Sequence, residues 1–453
     1  MMKTEQLHQG PFALRNIRFD FFRGVSIDSR NIPEAYIFCA LKGEHTDGHR
    51  FVKDALKNGA LAAVVNSGYA KTAAPDEALI VVDDTFRGLK DMAAIYARSL
   101  HVPIFAITGS AGKTSTRRLL TEVLRSQMIV AESPKNFNNH IGLPLAVLQI
   151  MGDEDIAVLE MGTSGPGEIR ELCSIVPPDL GLITVIAHAH IGGLGSIENV
   201  QKAKYELFDS VKEDGTLFIN LDDPRIAAYP EDKRKRVSFS LEKAADFTLP
   251  VRSVDENGRY VLSAEGADLH LRSMGKGAAY NAAAVYAAAR TLGMKRDSII
   301  SQVENFRVSA GRGHTETWHG VRIIDDTYNA NPLSVRNAID ALRSLRSPGK
   351  KIMVFGDMLE MGPESRSSHE TVAGELAGSG VGYLLCYGKE SHYTAKKAKE
   401  IGFPFAKHYR NKKDLAAELA GIVKPGDAIL FKGSRGVAIE DIISLFKEIY
   451  YVV

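Results

Sequence analysis

The chain has 453 residues, a length that suits about three domains of ordinary size. Lysine plus arginine number 56 and aspartate plus glutamate 55, so the formal net charge of +1 points to neither a nucleic-acid nor a membrane-surface partner. Three cysteines, Cys39, Cys173 and Cys386, are too few and too scattered for a disulfide framework or a zinc site. The N-terminal segment lacks the apolar core of a signal peptide and no apolar run approaches a membrane span, so a cytoplasmic protein is expected.

Residues 1–97 read as a small α/β unit. Apolar runs at 36–41, 60–65 and 78–82 predict short buried strands, with helical patterning at 49–58 and 85–99. From 98 to 311, apolar runs at 102–108, 155–161, 180–187 and 215–220 are mostly separated by helical patterns, the signature of a parallel, doubly wound sheet. Residues 235–273 alternate more finely and predict an antiparallel region, and 278–291 is an alanine-rich helix. The last block, 312–453, repeats the rhythm. Its strands are expected at 321–325, 351–355, 382–387 and 427–431, and its helices at 334–345, 366–377 and 412–421.

The first strand of the middle block runs into Thr108, Gly109, Ser110, Ala111, Gly112, Lys113, Thr114 and Ser115, and a helix follows. This is the build of a loop that cradles phosphate. Backbone N–H groups at a helix start face the anion, a lysine adds charge and a hydroxyl can hold Mg²⁺. The longer common form of the motif wants a glycine where this chain has Ile107, so the loop fits only in a shortened form.

In an open α/β sheet, ligands bind outside the carboxyl ends of the strands. Glu160 sits at such an end, and so do His188 and His190 in the third strand's exit. A hydroxyl and a carboxylate near phosphates suit Mg²⁺, which prefers oxygen ligands. Asp222 and Asp223 before Pro224 read as a turn. Asn136, Asn138, Asn139 and His140 are more polar groups than a helix cap needs, which favours ligand contact. The segment from Asp325 to Pro332 follows a strand and precedes a helix, placing Asp326 to accept from sugar hydroxyls. Arg312 stands at the boundary of the second and third blocks, as a solvated linker residue or as a guanidinium reaching phosphates across a cleft.

Taken together, these segments resemble the Mur ligases, the ATP-dependent amide-forming enzymes of peptidoglycan synthesis, along nearly the whole chain. The shortened loop fits the family's form. Further matching stretches are 136–145, Glu160-Met-Gly with 166–169, 189–196, 325–332, 355–362 and 432–435. The Asp-Asp-Thr-Tyr-Asn-Ala-Asn-Pro stretch points to the branch that joins a UDP-N-acetylmuramoyl-tripeptide to D-alanyl-D-alanine.

The resemblance implies three domains: 1–97 for the UDP-linked substrate, 98–311 for ATP, and a Rossmann-like 312–453 for the incoming amine. It implies that Lys113 holds the β- and γ-phosphates, that Thr114 and Glu160 bind one Mg²⁺, and that His190 binds a second. Lys204 matches the lysine that is carbamylated in the family and helps hold that second ion. Asn281 would contact adenine, Arg312 the phosphates and Asp326 the ribose. Ser26, Asp28, Ser29, Arg30 and Asp47 would form the uridine-nucleotide pocket. Asn136, Asn138, Asn139, Tyr328, Asn329 and Asn331 would contact substrate. No nucleic-acid or membrane partner is implied, and a monomer is expected. The chain departs from the family pattern at Ser164, Val185, Ala187 and the Gly275-Lys-Gly-Ala segment before Asn281. Two rival readings stay open: a sister ligase that adds a single amino acid, and a nucleotide-binding module with no ligase step.

Overall fold

The structure, a computed structural model, describes every residue except Lys135, His190 and 451–453. Three large sheets carry the α/β rhythm. The first orders Ala13–Arg15, Leu79–Val82, Ala63–Asn66, Tyr36–Cys39 and Gly24–Ser26, antiparallel only in its first pair. The helix Thr85–Ser99 follows it, started by the Asp84 carboxylate accepting from the Arg87 N–H. Leu89, Met92, Ala93 and Tyr96 recur at helical spacing on its buried face. They join one apolar core that continues from the first sheet to Leu159, Ile183 and Leu207 of the middle block.

The middle sheet has seven strands, all parallel. In order they are Phe247–Thr248, Lys235–Ser240, Thr216–Asn220, Leu180–Ile183, Ile104–Thr108, Ile156–Glu160 and Val130–Glu132. Successive strands lie on one side of Ile104–Thr108 up to Ile156–Glu160 and on the other side from Leu180–Ile183 onward. The crevice beside Ile104–Thr108 is therefore the switch point where such sheets bind ligands. Both faces of this strand are covered, which explains its uninterrupted apolar run. The alanine-rich helix Lys276–Thr291 packs on the helix Lys113–Arg125, and its buried alanines permit that approach.

The antiparallel region expected over 235–273 needs correcting. Lys235–Ser240 and Phe247–Thr248 extend the parallel sheet, and only Val251–Val254, Arg259–Ala264 and Ala267–Met274 form an antiparallel unit. Fine alternation marks a strand with one solvated face; it does not fix the direction of pairing.

The third sheet orders His314–Trp318, Val321–Asp326, Ala428–Lys432, Lys351–Gly356, Val381–Tyr387 and Phe405–Tyr409. Its first pair is antiparallel and the rest are parallel. Its two faces carry their own apolar cores. Among the described residues no helix is long and apolar enough to cross a membrane.

One backbone position controls the crevice. Gly109 has φ 147°, and a Cβ there would fall 1.9 Å from Thr184 Oγ1. Gly109→Ala is expected to cost about 1–3 kcal/mol in urea unfolding; an unchanged midpoint would contradict the close packing.

Candidate active site

The loop after Ile104–Thr108 is stitched to the exit of the neighbouring strand. The Ser110 N–H donates to Val185 O at 2.8 Å, and the Ala187 N–H donates to Ser110 Oγ at 3.0 Å. Ser110 Oγ in turn donates to Ala187 O at 2.8 Å, and Thr184 Oγ1 donates to Ala111 O at 2.5 Å. Leu180–Ile183 thus ends sooner than the apolar run to 187 suggests, because 184–187 pairs with the loop instead of with another strand. Thr108 is buried, its hydroxyl donating to Met161 O at 2.7 Å. Gly112 takes a left-handed conformation at the start of Lys113–Arg125, and no side chain caps that helix. Its first N–H groups, Ser115 among them, are left for an anion.

Lys113 folds back over the loop, Nζ donating to Gly109 O at 2.7 Å. Desolvation lowers the pKa of its amine, opposed by nearby Glu160 and reinforced by Arg312. Thr114 Oγ1 donates to one oxygen of Glu160 at 2.8 Å and Asn138 Nδ2 to the other at 2.8 Å. Glu160 is only 2% exposed, and Arg117 Nε lies 3.6 Å from its Oε2. Hydroxyl and carboxylate beside a phosphate loop fit Mg²⁺. Among the described residues no three His, Cys, Asp or Glu side chains converge, so such an ion would complete its shell with phosphate oxygens and water.

Lys204 projects from the helix Ile197–Ser210. It is 1% exposed and its Nζ has no hydrogen-bond partner among the described residues. Burial, then the neighbouring charge of Lys113, pushes its amine well below the ordinary lysine range, against the pull of Glu206 and Glu168. Addition to CO₂ needs the neutral form of an amine, and burial shifts Lys204 in that direction. His190 lies outside the described residues. His188 is half exposed, with Nδ1 3.3 Å from Glu364 Oε2.

The third sheet faces this loop. Arg312 stacks on the Tyr328 ring, 3.7 Å from its centroid. Burial lowers its pKa, with Tyr328, Glu160 and Asp326 opposing. Asp326 ends its strand and accepts from Lys432 Nζ at 2.6 Å. Burial pushes its carboxyl up and Lys432 pulls it back. Asn331 caps the helix Pro332–Ser344 and also reaches across, Nδ2 donating to Ser110 O at 3.1 Å. Asn329 is exposed, its Oδ1 accepting from the Ala330 N–H. Between the sheets lies a cavity of about 510 Å³. Ala111, Gly112, Ser115, Asn281, Arg312 and Asp326 line it, and Asn281 Oδ1 accepts from Thr116 Oγ1 at 3.1 Å.

Other candidates lie apart from that cavity or are held by local bonds. Asn136 and Asn139 are exposed, and Asn139 caps the Ile141 and Gly142 N–H groups. Ser26, Asp28 and Arg30 bond among themselves, and Asn58 Nδ2 donates to the Ser29 carbonyl. Asp47 pairs with His49 at 2.6 Å. Asp223 caps the helix Pro224–Ala227 and Asp222 ties Ser240 and Leu241, the turn role expected of them.

Sequence reasoning passed over Arg117 and Thr184, and it noted Lys432 only as part of the 432–435 stretch, with no role. Arg117 is buried and pairs with Glu132, while Lys432 is 1% exposed and also donates to Asn329 O at 3.0 Å. The signal for both was a cation on the inward face of an otherwise apolar element.

A phosphate loop at a sheet switch point, faced by a second sheet that supplies an arginine and an aspartate, defines a multidomain α/β nucleotide-binding enzyme. The chain belongs to the Mur ligase family. Residues 22–103 match the Mur ligase family catalytic domain, 107–289 the Mur ligase middle domain, and 311–435 the Mur ligase glutamate ligase domain. It is 35% identical to the UDP-N-acetylmuramoyl-tripeptide–D-alanyl-D-alanine ligase of Bacillus subtilis over 441 residues, 97% of this chain and 96% of that one. To the enzyme of the same name from Escherichia coli it is 30% identical, covering 94% and 93% of the two chains. Among solved structures, MurF from Acinetobacter baumannii superposes with a TM-score of 0.86 at 25% identity, covering 98% of each chain. MurF ligase from Thermotoga maritima in complex with ADP superposes with a TM-score of 0.83 at 30% identity, over 95% of this chain and 98% of that one.

Because Lys204 is buried without a partner among the described residues, Lys204→Met is expected to stabilise the protein by about 1–3 kcal/mol in urea unfolding under CO₂-free buffer. A lower midpoint would contradict the isolation of that amine.

Proposed function

We propose that this chain is an ATP-dependent ligase acting in peptidoglycan precursor synthesis. It joins the peptide carboxylate of UDP-N-acetylmuramoyl-tripeptide to the amine of D-alanyl-D-alanine. The observation that carries this reading is the likeness along nearly the whole chain to ligases of that name, with the phosphate loop and the Asp325–Pro332 segment both at the one cavity.

A carboxylate is a poor electrophile, and phosphoryl transfer from ATP turns it into an acyl phosphate. The amine then attacks the acyl carbon, the C–N bond forms, the amine loses a proton and inorganic phosphate leaves. Lys113 and Arg312 hold the charge that spreads over the transferring phosphoryl group. Thr114 and Glu160 would hold Mg²⁺, which when bound would supply charge neutralisation there. Lys204, as a carbamate formed by addition of its amine to CO₂ with loss of a proton, offers a further anionic ligand alongside His190. Asn281 and Asp326 contact the nucleoside. Asn136, Asn138, Asn139, Tyr328, Asn329 and Asn331 line the path of the two peptide substrates.

Residues 1–97, with Ser26, Asp28, Ser29, Arg30 and Asp47, take the UDP end; 98–311 take ATP, and 312–453 bring the amine. Water must be kept out while the acyl phosphate exists, and bonds such as Asn331 to Ser110 support closure of the third domain over the loop. Nucleotide-linked substrates support action in the cytoplasm.

Tripeptide substrate carrying ¹⁸O in its reacting carboxylate should deliver one labelled oxygen to inorganic phosphate per turnover. Unlabelled phosphate would rule out the acyl phosphate. Lys113→Ala should lower ADP release by about 10²–10³-fold, and near-normal release in that variant would refute its role.

A further inference from the structure

We infer that Arg117 is a positioning residue that makes the metal site depend on nucleotide. Set behind Glu160, it fixes the carboxylate and offsets its charge, so that a divalent cation is held only together with polyphosphate. The inference rests on the ATP-dependent reading above. Arg117 is buried on Lys113–Arg125, the helix whose start forms the phosphate cradle. Thr114 and Arg117 are three residues apart and so share one helix face. Both address the same atom: Glu160 Oε2 accepts from Thr114 Oγ1 at 2.8 Å and lies 3.6 Å from Arg117 Nε. Asn138 Nδ2 donates to the other oxygen at 2.8 Å, and the Glu160 N–H donates to Ser133 Oγ at 3.1 Å. The carboxylate is therefore held on both oxygens and at its backbone.

The guanidinium is fixed in turn from its far side. Arg117 Nη1 pairs with Glu132, the last residue of the strand Val130–Glu132, and Glu132 also pairs with Arg125 Nη1 at 3.0 Å. Charges thus alternate in sign from Arg125 through Glu132 and Arg117 to Glu160. A planar guanidinium can address two carboxylates with different nitrogens, which the point charge of an ammonium does less well.

This alternation sets what Glu160 can bind. Unit charges a few ångströms apart interact strongly away from water, so a buried carboxylate beside Arg117 attracts a lone cation weakly. Among the described residues no third His, Cys, Asp or Glu side chain converges with two others to make up the loss. A polyphosphate at the loop supplies both the missing negative charge and further oxygen ligands. The cation is then shared between phosphate and Glu160, and it enters with the nucleotide. Arg117 acts through Glu160 and not on the substrate.

The test measures nucleotide-free Mn²⁺ affinity by electron paramagnetic resonance, and ADP affinity by calorimetry with and without Mn²⁺. Wild type should bind ADP at least about tenfold more tightly with Mn²⁺ than without. Arg117→Met should gain about tenfold in nucleotide-free Mn²⁺ affinity, and adding Glu160→Gln should abolish that gain. A merely structural arginine would cost stability on removal and raise no affinity. Glu132 keeps Arg125 as a partner in the variant, which favours folding. Arg117→Met/Glu132→Gln, which also removes the carboxylate that loses its main partner, should show the same gain. Unchanged or weaker nucleotide-free binding in both variants would overturn the assignment, and so would ADP affinity in wild type that ignores Mn²⁺. If ATP still drives amide formation in wild type in that case, the ligase reading stands and only Arg117 is dismissed. Failure of wild type to bind ADP or to form amide would overturn both.

Discussion

The site depends on the contact between two strand exits. Gly109 must pass Thr184 at a distance no side chain permits, and Ser110 and Ala111 must bond to the segment 184–187. These bonds occupy the loop's outward carbonyl and hydroxyl groups. They leave the uncapped helix start as the free pole of the cradle, where helix geometry concentrates partial positive charge. The stitch also brings 184–187 against the loop, which leads on to the segment carrying His188.

Around that cradle the protein gathers charges that would be costly elsewhere. Lys113, Lys204 and Arg312 share one desolvated neighbourhood, and each has its pKa lowered by burial. Glu160 is the buried anion near them, and its two oxygens are already held by Thr114 and Asn138. Lys113 and Arg312 beside the phosphate loop supply a positive potential that an incoming polyphosphate neutralises. Lys204 is the least satisfied of the set. Its isolation is readily understood as a stability cost tolerated for a functional group.

Much of this was legible in the sequence, because buried parallel strands write continuous apolar runs and their polar exits stand out against them. Ile104–Thr108 and Ile156–Glu160 are such strands, and they delivered the loop and Glu160. What was not legible depended on packing. His314–Trp318 is a polar edge strand with no apolar run to mark it. The direction of Lys235–Ser240 is set by its neighbour Thr216–Asn220 and not by its own alternation. Lys204 looks like any helical lysine until its burial is known, and only the family resemblance singled it out. Lys432 ends a strand that is buried along its length, so its pairing with Asp326 needed the fold to bring two distant strands together.

The same packing suggests how the parts move. The first and middle blocks share one apolar core across the helix Thr85–Ser99. The third has its own cores and meets the middle block near the loop through polar contacts, such as Asn331 to Ser110 and the Gly192 N–H to Glu360 O at 3.0 Å. Polar junctions of this kind open and close more readily than shared cores, which suits an enzyme that must admit two peptides and then exclude water. The most direct measurement is ADP release with UDP-N-acetylmuramoyl-tripeptide and ATP, run with D-alanyl-D-alanine, with single amino acids and with no amine. The account predicts ADP and ligated product appearing one for one with the dipeptide alone. Equal ADP release without an amine, or equal ligation of a single amino acid, would contradict it.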